Sequence, residues 1–258
     1  MQIEWLHTIQ SIRSPVLDLF FRGLNFFDTE SFYILLIPAI WFSRGWRVGL
    51  RLFMLILLSL LAVQELKQFF SVLRPFHTHP PLALIHVSGF SFPSGGATNS
   101  LLLALLFLTY SKMRYKWCIA ITYCIFISFS RLYLGVHYPI DILGGWVLGA
   151  LLWSIGVYLF PLIERQLQRL PILALWCISQ IIPLIPFLCR PRTLPWIICM
   201  GMMCALFVIK NTITTHHTPL RGFLAHALLL CYTVFFFPLY LYTPHSPILW
   251  LHSLSDSL

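Results

Sequence analysis

The chain has 258 residues, 59% of them hydrophobic and 16% aromatic, and only 10% carry a charge. Soluble domains average about 25% charged residues, so this composition excludes a water-facing surface and most of the chain must face lipid. The formal net charge of +9 does not mark a nucleic-acid binder, because there is no basic run and the Lys and Arg fall in short connections between apolar stretches, as topology signals do.

Residues 1–30 carry Glu4, Arg13, Asp18, Arg22, Asp28 and Glu30, which breaks any hydrophobic leader, so no secretory signal is expected. Within them SPVLDLFFRGLNFFD, Ser14 to Asp28, is too short and too charged to span and reads as an amphipathic helix at the interface. A span needs roughly 20 mostly apolar residues. Spans are expected at about 31–45, 49–71, 97–111, 116–133, 141–162, 171–189, 194–210 and 222–242. Pro195 opens one of them and Pro238 kinks another, which membrane helices tolerate.

The expected architecture is all-α: a polytopic bundle of about eight transmembrane helices, with an interfacial segment at 1–30, a core at 31–165 and additional helices in 166–258. Cys118, Cys124, Cys177, Cys199, Cys204 and Cys231 lie inside apolar segments and Cys189 at a segment end. With no CxxC and no zinc-like Cys/His spacing, they read as small apolar residues. Trp146 reads as lipid-facing or interfacial and His226 as a packed helix residue.

Lys and Arg give the orientation. Ten of them (Arg44, Arg47, Arg51, Lys112, Arg114, Lys116, Arg165, Arg169, Lys210 and Arg221) share one side, and seven (Arg13, Arg22, Lys67, Arg74, Arg131, Arg190 and Arg192) share the other. Lys67, Arg74 and Arg131 have a chemical reason to be there, which places the larger set in the cytoplasm. The loops at 72–96 and 134–140 then face outward, and His216 and His217 lie on the opposite side from them.

Three polar clusters fall at span ends on the outer side. In KQFFSVLRP, Lys67 lies within or at the end of an apolar helix, where an ionisable residue is a functional candidate. Arg74 follows two helical turns later, so both cations are expected to face one cavity, and Pro75 marks the exit into the loop. In FPSGGAT, Ser94, Gly95 and Gly96 stand at a helix start and offer a hydroxyl and free backbone N–H groups to an anion. In SRLYLGVHYPID, Arg131 ends a helix, Gly135 suits its C-terminal turn and Pro139 suits the first turn of the next. Asp141 then stands where the helix dipole favours a carboxylate and can hydrogen-bond one nitrogen of His137, leaving the other to attack.

Together, Lys67, Arg74 and Arg131 neutralise phosphate oxygens, and His137 is the nucleophile with Asp141 behind it. This is what phosphoryl transfer needs, and neither a metal nor a cofactor is expected. Asp141 is the only acidic residue expected in the site, with Glu65 read as a packing or ion-pair residue.

These motifs resemble those of the type 2 phosphatidic acid phosphatase (PAP2) superfamily. KQFFSVLRP resembles its K-x6-R-P motif, FPSGG its P-S-G-H motif, and SRLYLGVHYPID matches its S-R-x5-H-x3-D motif throughout. Order and spacing agree over about residues 60–150. The resemblance implies a six-helix core with the site near the outer membrane surface, a phosphohistidine on His137 relayed by Asp141, and phosphate held by Lys67, Arg74, Ser94, Gly95 and Arg131. Substrates in the family are phosphate esters and diphosphates, usually of lipids.

Gly96 departs from the pattern, since the family has there a His that protonates the leaving group. Three explanations stand: a leaving group that needs no proton, as in a lipid diphosphate; a substitute acid among His77, His79 and His86 in the same outer loop; or a degenerate enzyme that binds without turnover. The sequence reading is therefore a lipid phosphatase of a bacterial inner membrane with its site facing the periplasm. It acts on phosphatidate, phosphatidylglycerophosphate or a polyprenyl diphosphate, with a phosphotransferase or a non-catalytic lipid-binding protein as alternatives. The lipid substrate and the bilayer are its expected partners, with no nucleic acid, and the sequence does not set an oligomeric state.

Overall fold

The computed structural model describes residues 2–44, 46–167 and 169–171. The spans expected at 171–189, 194–210 and 222–242, with His216, His217 and His226, lie outside the described residues. The helices are α1 (Gln2–Gln10), α2 (Pro15–Leu24), α3 (Glu30–Arg44), α4 (Trp46–Phe70), the single turn α5 (Pro75–Thr78), α6 (Gly95–Tyr110), α7 (Lys116–Tyr133), α8 (Pro139–Ser154) and α9 (Phe160–Leu167). Tight 3-10 turns occupy Asn25–Asp28 and Pro80–Leu82, and a π turn at Ile155–Leu159 joins α8 to α9. No strand occurs among the described residues. Two compact units divide at Leu162 and Ile163, and the site lies wholly in the first.

The expected spans from 31 to 162 match α3, α4, α6, α7 and α8 with its continuation to within a few residues. The apolar stretches within Arg51–Thr78 and Pro139–Gln166 are long and apolar enough to cross a membrane, and α6 is a shorter apolar helix. On α8, Leu143, Val147 and Leu151 recur every fourth residue and are 52%, 72% and 56% exposed. Such a stripe is costly in water and suits acyl chains.

The opposite face of α8 lies against α6, and glycine makes the approach close. A Cβ on Gly145 would stand 2.6 Å from the Ser94 carbonyl oxygen, and one on Gly149 would stand 2.5 Å from that of Thr98. Small residues four apart let membrane helices approach in this way. Next to this contact Tyr33, Leu52, Leu55, Ile56, Leu102 and Leu152 join α3, α4, α6 and α8 in one buried cluster. A second cluster, Phe21, Leu84, Tyr133, Leu134 and Val136, clamps α2 and the loop before α6 to the α7–α8 junction.

The N-terminal segment is more structured than its composition indicates. α1 has no counterpart among the expected elements. It docks through Gln10, whose Nε2 donates to the carbonyls of Leu82 at 2.9 Å and Tyr133 at 2.8 Å. α2 begins at Pro15, with the Ser14 Oγ accepting from the Leu17 N–H. Val16 and Leu19 are exposed while Phe21 is buried, and the Tyr133 hydroxyl donates to Asp18 at 2.7 Å. Trp146 is not simply lipid-facing either: its indole N–H donates to Ser128 Oγ at 2.9 Å.

Candidate active site

α4 stops at Phe70, and Ser71 takes a positive φ of 50°, so the chain has left the helix before it reaches Arg74. The sequence reading spaced Lys67 and Arg74 by two helical turns, with Pro75 disfavouring helix at Arg74. Lys67 stands in the last turn of α4, and Arg74 is the extended residue before α5 (φ −73°, ψ 157°). The cause is Pro75, which takes the first position of α5 and disfavours helical backbone at the residue before it. Both cations nevertheless face one cavity of about 210 Å³, which Gly95, Arg131 and His137 also line.

Arg74 is 1% exposed and its guanidinium fork is nearly filled. Nε donates to Gly89 O at 2.9 Å, Nη2 to Ser88 O at 3.1 Å and Nη1 to Val136 O at 3.0 Å. Nη1 also lies 3.3 Å from His137 Nε2. A planar fork is suited to such fixed placement. Burial pulls its pKa down to about 10, which leaves it cationic at neutral pH.

Tyr133, Leu134, Val136 and His137 are buried, and Gly135 between them has a φ of +71°. A Cβ there would stand 2.0 Å from the Leu82 carbonyl oxygen, so this turn suits glycine alone. It delivers His137, 4% exposed, two residues before Pro139 opens α8. Asp141 lies fully buried in that first turn. Its Oδ2 accepts the Tyr138 N–H at 2.7 Å and the Ser91 hydroxyl at 2.5 Å. His137 Nδ1 stands 3.4 Å from Oδ2 and 3.3 Å from Ser91 Oγ. This network assigns the proton to Nδ1 and leaves the Nε2 lone pair towards Arg74. Burial holds the His137 pKa down at about 3, with Asp141 opposing and the Arg74 and Lys67 charges adding to the drop. The imidazole is therefore neutral and nucleophilic at neutral pH.

Ser91 had no signal in the sequence, because FSFPS contains two serines and no spacing singles out the first. Ser94, fully buried, caps α6 by accepting the Ala97 N–H at 3.4 Å, and its own N–H donates to Asp141 O at 3.0 Å. It thereby ties the start of α6 to the start of α8. The first turn of α6, at Gly95 and Gly96, supplies amides without intrahelical acceptors.

Arg131, 2% exposed, donates from Nη1 to Asp28 Oδ2 at 2.9 Å and from Nη2 to Asn25 Oδ1 at 2.7 Å. Both acceptors belong to the 3-10 turn after α2, and Asp28 lines the cavity. Asp141 is therefore not the only acidic residue of the site, contrary to the sequence reading. Asp28 was assigned to the interfacial segment because nothing local distinguishes it, and only the tertiary fold brings it over α6. A Cβ on Gly96 would stand 2.9 Å from Asp28 Oδ2, 3.0 Å from its Cγ and 3.1 Å from Arg131 Cδ. His77, His79 and His86 are exposed in the outer loop. His77 and His86 lie against the Phe76 ring and His79 against His7, and none of the three is among the described residues that line the cavity.

The sequence profile of the PAP2 superfamily matches residues 48–165. Phosphatidylglycerophosphatase B of Bacillus subtilis is 34% identical over 172 residues, which is 61% of this chain and 82% of that one. Undecaprenyl-diphosphatase of Sulfolobus acidocaldarius is 31% identical over 111 residues, 42% of this chain and about half (53%) of the relative's own length. Among solved structures, the crystal structure of Aquifex aeolicus LpxE superposes with a TM-score of 0.55 at 26% identity, covering 60% of this chain and 94% of that one. The profile match contains Lys67, Arg74, Ser94, Arg131, His137 and Asp141 but not Asp28. On these matches the chain belongs to the PAP2 superfamily.

Proposed function

We propose that this chain is a membrane-integral lipid phosphatase that cleaves a phosphate monoester or diphosphate through a phosphohistidine on His137. The observation that carries this reading is the placement of His137 Nε2, 3.3 Å from Arg74 Nη1, on the wall of a cavity that Lys67 and Arg131 also line. Phosphoryl transfer asks for little more than in-line positioning and offset of the oxygens' charge. Lys67, Arg74, Arg131 and the first amides of α6 receive the phosphate. Nε2 attacks phosphorus, the bond to the leaving oxygen breaks, and Asp141 stabilises the imidazolium character that develops at Nδ1. Water then displaces phosphate from Nε2 and restores the free imidazole.

The curated relatives are named for lipid phosphates of different headgroups, which supports a lipid substrate without choosing the headgroup. The Lys and Arg distribution supports a site on the outer side of a bacterial inner membrane, facing the periplasm. The interfacial role of residues 1–30 is likewise part of this reading, supported by the exposed Val16 and Leu19 on α2.

The test is phosphate release by the purified protein in detergent from phosphatidate, phosphatidylglycerophosphate and a polyprenyl diphosphate. The expected outcome is release that His137→Ala reduces by about 10⁴-fold or more, as loss of a covalent nucleophile does. Release that survives in His137→Ala would overturn the reading. A phosphorylated acceptor in place of free phosphate would identify a phosphotransferase.

A further inference from the structure

A lipid alcohol is a poor leaving group unless a proton reaches the bridging oxygen, and supplying that proton is worth about 10²–10⁴-fold. Among the polar groups lining the cavity few are suited to the task. His137 is the nucleophile. A guanidinium does not release its proton in a protein, which removes Arg74 and Arg131. Lys67 would leave the phosphate charge less neutralised if it gave up its own. The Tyr33 hydroxyl is directed to the Phe27 carbonyl at 3.4 Å. Asp28 remains, and its carboxylate fills the space that a side chain at position 96 would need.

We infer that the carboxyl of Asp28, delivered from the N-terminal 3-10 turn, is the general acid that protonates the leaving oxygen and then the general base for the attacking water. This assignment rests on the lipid-phosphatase reading of His137. In the first step the Nε2–P bond forms, the P–O bond to the lipid breaks, and the Asp28 proton moves to the leaving oxygen as the alcohol departs. In the second the Asp28 carboxylate takes a proton from water, the water oxygen bonds to phosphorus and the Nε2–P bond breaks. Phosphate leaves and Asp28 is again protonated.

The surroundings of Asp28 fit a group that must hold a proton. Burial raises its pKa from the ordinary carboxylate value, against the opposing charges of Arg131, Lys67 and Arg74. The titratable and charged groups facing it are Arg131 and Tyr123 from α7, Lys67 from α4, Tyr33 from α3 and Arg74 from the loop. An arriving phosphate competes for the Arg131 Nη1 that now holds Oδ2, and its negative charge disfavours the carboxylate further. Substrate binding therefore favours the acid form at the moment it is needed. A phosphate monoester of an aliphatic lipid alcohol thus falls within the reach of the enzyme, and a diphosphate is not required to explain Gly96.

The rival role for Asp28 is a counterion that only holds Arg131 in place, and leaving groups separate the two. Rates are measured for a dialkylglycerol phosphate and for nitrophenyl phosphate, whose phenolate leaves without help, in the wild type, Asp28→Asn and His137→Ala. A general acid predicts that Asp28→Asn lowers the alkyl-to-aryl rate ratio by about 10²–10⁴-fold. It also predicts that the wild-type ratio falls as the pH rises through the Asp28 pKa, a measurement that needs no variant. A ratio unchanged in Asp28→Asn, or flat with pH in the wild type, overturns the inference. So does a wild type that cleaves nitrophenyl phosphate and a polyprenyl diphosphate but not the alkyl phosphate. In all three of these cases loss of both activities in His137→Ala leaves the phosphatase reading standing, whereas a His137→Ala enzyme that keeps them removes both.

Discussion

The two walls of the cavity are built in opposite ways. His137 and Asp141 are four residues apart and placed by their own neighbours: Gly135 makes the turn, Pro139 starts α8, and Asp141 closes its first turn by accepting the Tyr138 N–H. Asp28 and Asn25 stand 103 and 106 residues before Arg131 in the chain. They reach it only because Phe21 packs into the cluster with Tyr133 and Leu134 and Asp18 accepts from the Tyr133 hydroxyl. One wall is a local motif, and the other is a product of tertiary docking.

The sharpest way to break the motif wall while keeping its shape is Asp141→Asn. With its amide oxygen in the Oδ2 place, Asn keeps the bonds from Ser91 and Tyr138 but brings no charge to stabilise the imidazolium; with the amide turned round, the NH₂ faces Nδ1 and the tautomer that leaves Nε2 free is no longer favoured. The expected fall in kcat is about 10³–10⁴-fold, by analogy with loss of the orienting carboxylate in hydrolase triads. KM should change little, because Asp141 lies behind the imidazole and is not among the described residues that line the cavity. A fall below tenfold would mean that Ser91 and the Gly135 turn orient His137 without the carboxylate.

This difference between the walls explains what the sequence discloses. Arg74, Arg131, His137 and Asp141 stand out in the sequence because each lies within a few residues of a Pro or Gly that sets the local turn, and Lys67 because it is an ionisable residue at the end of an apolar run. The five helices from α3 to α8 that match spans are readable because lipid exposure demands long apolar runs. Ser91 and Asp28 are not, because their partners are Asp141 and Arg131, 50 and 103 residues away. At Gly96 a Cβ would meet Asp28 and Arg131. A missing side chain at a crowded helix start indicates that another group occupies the volume, but not which one. α1 escaped because its short run of mixed residues owes its place to Gln10, whose two acceptors are backbone carbonyls with no sequence signature.

A middle-sized effect tests the burial of the motif wall. The folded His137 has its pKa near 3, below the ordinary value of about 6.5, so between these values the unfolded chain binds the proton that the folded chain refuses. Stability is thus fully present above about pH 6.5 and is lost as the pH falls towards 3. At pH 5 the loss from this group amounts to about 2 kcal/mol relative to pH 7.5. The raised pKa of Asp28 acts in the opposite direction. The informative measurement is therefore the difference between the wild type and His137→Gln, whose melting temperature should drop less on acidification. Equal slopes would place His137 in contact with water.

The smallest effect sharpens the comparison most, because it touches only the docked wall. Gln10→Ala removes the donor to Leu82 O and Tyr133 O and is expected to cost about 1 kcal/mol, the usual net worth of such bonds. The cost should not spread evenly. α1 leads into α2 and the Asn25–Asp28 turn, whereas residues 131–141 are held by Arg74, Ser91 and the α6–α8 contact. Hydrogen exchange in the variant should therefore quicken over residues 15–28 and stay near wild-type rates over 131–141. Equal acceleration in both segments would mean that the two walls open as one unit, and that the N-terminal helices are as much a part of the cavity's framework as the motifs are.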